Sequence, residues 1–293
     1  MKSRLFIGAL LALFLGAITR SPGGEVTWSG ASTNGKLETV ENWAEGKAPA
    51  NGDVLVFAAA ANTNIRNSTP NIALGGIKIN ADAGSYQLNG KPIKLKGEIV
   101  DNSKDPQSIN LYITLMKSVT ISASGDLSLG GVIRGEKFGV TKTGDGQLIL
   151  TGACAYSGQT TVRGGSLTLG NANALGIAST LLLDGAKVCL GQGISPSLGP
   201  LNVASASVLD FGAGSGSHAV TFANSQALAW NGTLAIYNWD GDATASNTLA
   251  FGTDNTGLSA AQLKAIIFYR DAGKTRLGTA KWSAKDGQLT FTQ

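Results

Sequence analysis

Gly139-Val140-Thr141-Lys142-Thr143-Gly144-Asp145-Gly146-Gln147-Leu148-Ile149-Leu150-Thr151-Gly152 runs on through Ala155-Tyr156-Ser157-Gly158-Gln159-Thr160-Thr161-Val162 to Gly165-Ser166-Leu167-Thr168-Leu169. Apolar side chains alternate within it, so Leu148 and Leu150 share one side of a strand, as do Leu167 and Leu169. Thr160 and Thr161 are β-branched and suit extended backbone. Gly144, Gly146, Gly158 and Gly165 punctuate the strands and permit sharp corners at little steric cost. The stretch therefore reads as short strands joined by tight corners, with Leu148, Leu150, Val162, Leu167 and Leu169 pointing inward.

The same texture extends in both directions. Strands are expected at 53–57, 76–80, 92–96, 109–115, 118–122, 147–151, 160–163, 166–169 and 180–183, then at 187–190, 208–211, 219–222, 233–237, 248–251 and 288–292. Asn171, Asn173, Asn202, Asn224 and Asn231 fall near the expected bends, where asparagine tolerates left-handed backbone. The chain has 293 residues, of which 40 are glycine and only 14% are charged, against about 25% in an ordinary soluble protein. Long helices and coiled coils are excluded by that composition, and 43% hydrophobic residues exclude a disordered polymer. Two architectures suit such strands, an antiparallel sandwich and a parallel β-solenoid. Connections of uneven length and loose internal similarity favour the solenoid, in which each turn touches only its neighbours. One segment reads as helix: Ser259-Ala260-Ala261-Gln262 has the form of a capping box, and Leu263, Ile266 and Ile267 give an apolar stripe. A short helix there is expected to cover the open edge of the last coil.

Residues 139–170 closely resemble the autotransporter-associated β-strand repeat, with its Thr-Lys-x-Gly-x-Gly turn, strand, Gly-x-x-x-Tyr-x-Gly segment and Thr-Thr-Val. Cys154 stands where the repeat commonly has Asn, and Gln159 where it commonly has Gly. Trp28-Ser29-Gly30, Glu41-Asn42-Trp43, Pro49 and Gly52-Asp53 resemble the opening block of exported repeat proteins of the verrucomicrobial and planctomycete type, and residues 249–263 are similar to their closing block. The resemblance implies an all-β, right-handed parallel β-helix spanning residues 21–293 as one domain, with 249–293 as a capping block. The Pro-Glu-Pro tail and the translocating barrel of related exported proteins are not found in this sequence.

Residues 1–20 read as a signal peptide: Lys2 and Arg4 precede an apolar run at 5–18 that is too short to span a bilayer comfortably. No later stretch is apolar enough to do so. Lys2, Arg4 and Arg20 account for most of the net charge of +4, and the remainder carries 20 basic against 19 acidic residues. A chain so near neutrality has no global field for nucleic acid. Cys154 and Cys189 are read as two small buried residues, with a single disulfide as the alternative.

No catalytic, cofactor or metal residue is assigned. The one histidine, His218, rules out histidine clusters, and it reads as an exposed loop residue. Gly212-Ala213-Gly214-Ser215-Gly216 lacks the lysine and helix of a phosphate loop. Asp240 and Asp242, with Asn238, Asn247 and Asp254 nearby, read as a polar turn, with calcium as the alternative. Arg134, Lys142, Asp145 and Arg163 are the set whose convergence would suggest a polysaccharide lyase. Trp28, Trp43, Trp230, Trp239 and Trp282 are expected to plug the ends of the solenoid; the other reading stacks them on sugars. The expectation is an exported, non-catalytic structural, adhesive or surface-associated β-helix, secreted or at a bacterial cell surface, without cofactor, whose partner is a cell-surface or extracellular polysaccharide. The alternative is a carbohydrate-binding or polysaccharide-degrading β-helix.

Overall fold

The structure is a computed structural model describing residues 23–214, 216–240, 247–285 and 287–293. Residues 1–20, expected as a signal peptide, lie outside them. The chain winds into a parallel β-solenoid of about eight turns. Each regular coil contributes one strand to a nine-stranded face, one to a twelve-stranded face and one to a narrow five-stranded face. In one coil these are Val140–Thr143, Gln147–Leu150 and Cys154–Tyr156. Val54 lies beside Gly76, Ile77 beside Ile99, Val119 beside Val140 and Val140 beside Thr160, so in these coils the chain returns to the same place on the nine-stranded face every 20 to 22 residues.

This register stacks like on like. Ile65, Leu88, Ile109, Leu129, Leu150, Leu169 and Leu190 form one buried column, each a neighbour of the next. All five residues expected inward from the 139–169 stretch are buried, and Thr151 is exposed. Gly144 has φ +78, and a Cβ there would meet the Ala123 carbonyl oxygen at 2.4 Å, so glycine is required where successive corners stack.

Several expectations need correction. The strand expected at 109–115 is two, Gln107–Ile109 and Ile113–Leu115, because Leu111 turns inward at a corner between faces. Asn202 lies inside the strand Leu201–Val203 rather than at a bend. Helix α1, Ala260–Ala265, starts with the expected capping box: Ser259 N–H donates to Gln262 Oε1 at 2.7 Å, and Gln262 N–H donates to Ser259 Oγ at 3.2 Å. Ile266 and Ile267 do not extend it; they open the strand Ile266–Arg270, which pairs with Leu234–Tyr237, a setting that suits β-branched side chains. Thr275–Trp282 and Leu289–Thr292 then add two antiparallel strands.

The edges of the first coil are covered by returning chain. Trp28 and Trp43 meet edge to face at 5.2 Å, and Thr27 N–H donates to the Glu45 carboxylate at 2.9 Å. At the other end the Trp230 indole donates to the Leu201 carbonyl at 2.9 Å. Gln262 of α1 holds the same covering loop through the Ser225 and Leu228 carbonyls, at 2.8 and 2.9 Å. Trp28, Trp43 and Trp239 are buried and Trp230 and Trp282 half-buried, so the tryptophans serve packing.

Candidate functional site

Three polar residues of the 139–169 stretch, Lys142, Tyr156 and Thr160, are buried inside the coils. Lys142 occupies a core column, between Ile121 of the preceding coil and Val162 of the next, and is 1% exposed. Its ammonium donates to the Thr143 and Gly144 carbonyls at 2.9 and 2.8 Å and to Gly164 at 3.4 Å, tying the turn of its own coil to the turn above. Burial lowers its pKa to about 8, against the pull of Asp145. At the opposite corner, Tyr156 Oη lies 2.7 Å from Thr160 Oγ1, which lies 3.2 Å from Ser179 Oγ; that hydroxyl donates to the Gly158 carbonyl at 2.6 Å. This chain of hydroxyls is buried, so no reacting molecule reaches it without opening the coil.

The four charged residues weighed as a lyase constellation do not converge. Lys142 is inside. Arg163 pairs with Asp184 at 3.3 Å on the nine-stranded face, while Arg134 stands on the five-stranded face and donates to Thr114 Oγ1 at 3.2 Å. Cys154 and Cys189 are free: one points inward on the five-stranded face and the other lies on the twelve-stranded face. Burial pushes the Cys154 thiol up to about 12 and raises that of Cys189 as well.

His218 is 1% exposed, not an open loop residue. Its N–H donates to Asn247 Oδ1 at 2.9 Å, its Nδ1 lies 2.7 Å from the Ile194 carbonyl, and its ring packs edge-on against Phe211. The glycine-rich approach misled the sequence reading; the strand Ala219–Phe222 begins directly after the histidine and draws it inward.

Around it lies a polar cluster that joins Asn238, Asp240 and Asn247 of the expected polar turn to Lys187 and Asp210, which the sequence did not single out. Lys187 and Asp210, on adjacent strands of the twelve-stranded face, pair at 2.5 Å. Asp210 also accepts from the Gly212 N–H at 2.9 Å and from the Asn238 amide at 2.5 Å. Burial works against its charge, but Lys187 and these donors hold the carboxyl below the usual range. Asn238 sits at φ 55 and accepts from Ala272 N–H at 2.9 Å, and Asp240 accepts from Asn247 N–H at 2.9 Å. A cavity of about 530 Å³ opens beside the cluster, lined among others by Asn238, Trp239, Asp240 and Arg270. Asp242 lies outside the described residues, and among those described no group of three or more His, Cys, Asp or Glu is placed to hold a metal. The arrangement fixes loops to the sheet, and the two carboxylates that line the cavity, Asp240 and Asp271, are each engaged in a loop hydrogen bond, from Asn247 N–H and from Thr275 Oγ1.

Residues 140–169 match the passenger-associated-transport-repeat family. Over 130 residues the chain is 30% identical to a protein described as adhesin BmaC autotransporter, from Brucella suis biovar 1 (strain 1330). The match covers 44% of this chain and only 3% of that adhesin. No solved structure gives a significant match. The chain thus carries an autotransporter-associated repeat, and the repeat coincides with the two coils whose corners Lys142 and Tyr156 close. No helix among the described residues is long and apolar enough to cross a membrane.

Proposed function

From a chain that carries a passenger-associated-transport repeat, we propose a surface-exposed, adhesive passenger module of an exported bacterial protein, acting through its outer faces and not through catalysis. The observation that carries the reading is the inward placement of Lys142, Tyr156 and Thr160 of the repeat, which with Ser179 just beyond it hold the coils together, leaving the outer faces to meet other molecules. The similarity to an autotransporter adhesin supports the same setting. In this reading residues 1–20 direct export, and N-terminal sequencing of the exported species finds a start between about residues 20 and 25. The deciding experiment has two arms. Protease added to intact cells removes the protein if it lies outside, and protection from protease contradicts the location. Incubation of purified protein with acidic and neutral polysaccharides releases no reducing or unsaturated ends. Release that disappears on changing one named carboxylate overturns the non-catalytic part.

A further inference from the structure

The narrow five-stranded face differs from the rest of the surface in charge. Its strands are Ile72–Leu74, Ile93–Leu95, Ile113–Leu115, Ile133–Gly135 and Cys154–Tyr156. Their isoleucines and Cys154 point inward, so the residues between them stand outward. Lys91, Lys94, Lys96, Lys117, Arg134 and Lys137 lie on this face or its flanking corners, all exposed or half-buried, against two acids, Glu98 and Glu136. The ion pairs among the described residues join Glu25 to Lys78, Arg163 to Asp184 and Lys187 to Asp210, and none engages these six cations. On a chain that is otherwise almost neutral, this is a local concentration of positive charge.

The cations are in register. Lys94, Thr114 and Arg134 occupy the same position in three consecutive coils, so charge, hydroxyl and charge succeed one another along the solenoid axis at about 4.8 Å per coil. Tyr112 and Met116, at 52% and 43% exposure, flank Thr114, and they are two of the four large apolar side chains exposed among the described residues. A phenol beside a row of cations and a hydroxyl combines a flat apolar surface with polar donors. At the start of the row Lys91 lines a cavity of about 300 Å³ with Arg66 and Asn67.

We propose that this face binds a linear acidic polysaccharide of the polyuronate class, laid along the solenoid axis, with Lys94 and Arg134 meeting its carboxylates and Tyr112 stacking on a sugar ring. The proposal rests on the adhesive reading only for its setting outside the cell. Three-residue strands make the face about 10 Å wide, room for one extended polymer and not for a flat membrane. Duplex DNA carries a charge every ~1.7 Å along its axis, far denser than one cation every second coil. A polyuronate spaces its carboxylates by one sugar, close to the coil spacing.

The test uses purified full-length protein and immobilised polygalacturonate, with dextran, duplex DNA and phosphatidylglycerol vesicles as the other arms. Binding to polygalacturonate, weakened by added salt and absent on dextran, is expected. Lys94→Glu with Arg134→Glu should lower affinity more than tenfold, and Tyr112→Ala several-fold. Lys281→Glu, an exposed lysine on the twelve-stranded face, should change little. Circular dichroism of each variant guards against misfolding. No binding to polygalacturonate overturns the proposal, as does equal affinity in the double variant. Preference for DNA or vesicles, lost in the same variant, overturns it in favour of those partners. Displayed cells that adhere to surfaces whether or not polygalacturonate competes leave the adhesive reading standing without this one. Polygalacturonate binding by protein that supports no adhesion does the reverse.

Discussion

The middle coils and the closing coils solve the same packing problem with different side chains. From Asp126 to Leu190 the interior of the twelve-stranded face is a ladder of aliphatic residues, Leu127, Leu148, Leu167 and Val188 in one column and Leu129, Leu150, Leu169 and Leu190 in the next. Beyond it the return distance lengthens to 27 and then 32 residues, from Ser207 to Leu234 and on to Ile266. There the interior is aromatic: Trp239 lies 5.3 Å from Phe211 and 4.7 Å from Phe268, and Phe222 stacks on Phe251 at 5.0 Å. A uniform period lets one size of side chain fit every rung. Once inserts break it, larger rings fill the interior, and polar pairs such as Lys187–Asp210 anchor the longer loops.

Truncation tests this contrast most strongly. Phe251 touches Phe222 and Trp230, and Phe251→Ala should cost about 3–5 kcal/mol; Leu150→Ala in the regular ladder should cost about 2–5 kcal/mol. Urea titration measures both. A cost under about 1 kcal/mol for Phe251→Ala would mean that the closing coils are loosely packed and the comparison fails.

Acid should separate the two regions by sign. Asp101 is wholly buried and inward between Ile79 and Ala123, with Ser103 N–H donating to Oδ1 at 3.0 Å. Burial raises its pKa to about 6, against the Ser103 hydrogen bond and the charge of Lys104. The folded state therefore holds this proton more tightly than the unfolded chain, whose value is near 3.8. Its contribution is complete below about pH 4 and is lost as pH rises through 6, by up to roughly 3 kcal/mol. Asp210 in the closing coils is held low, so its contribution is present above the ordinary carboxylate range and is lost as pH falls. Stability measured from pH 4 to 7 should fall in the native protein, and Asp101→Asn should remove that fall. In Asp210→Asn that fall should persist, and the loss of stability on further acidification from about pH 4 to 2 should be smaller than in the native protein. A profile unchanged by either substitution would place both carboxyls in water.

The smallest expected effect is at the neighbour of the most sensitive leucine. Thr151 is exposed one residue out of phase with Leu150, and Thr151→Ala should stay within about 0.5 kcal/mol in the same titration. A larger loss would shift the strand by one residue and turn the ladder inside out.

The strand phase at 147–150 and 166–169 was legible because four residues of alternation and flanking glycines fix it. The capping box at Ser259 was legible for a similar local reason. The five-stranded face was legible only in part: the expected strands at 92–96 and 109–115 contain Ile93–Leu95 and Ile113–Leu115, but a strand such as Ile72–Leu74 holds too little alternation to register, and its partner lies a full coil away. Lys142 reads as a surface residue by type, although it shares a phase with buried Val140, and that was the signal available. The cationic face was hidden by order along the chain: Lys91 to Lys137 are interleaved with Asp101, which turns into the core, and with Asp126, which the winding carries to the twelve-stranded face.

The return distance of 20 to 22 residues also sets how the chain gives way under load. Hydrogen bonds between coils run along the solenoid axis, and a pull at one end strains a single coil's bonds while its neighbours stay shielded. Rupture therefore proceeds coil by coil. Each event frees about 20 residues, or roughly 70 Å of extended chain, where a coil had occupied only ~4.8 Å of length. A surface tether built this way lengthens in repeated small steps, dissipating force and keeping the coils beyond the break folded.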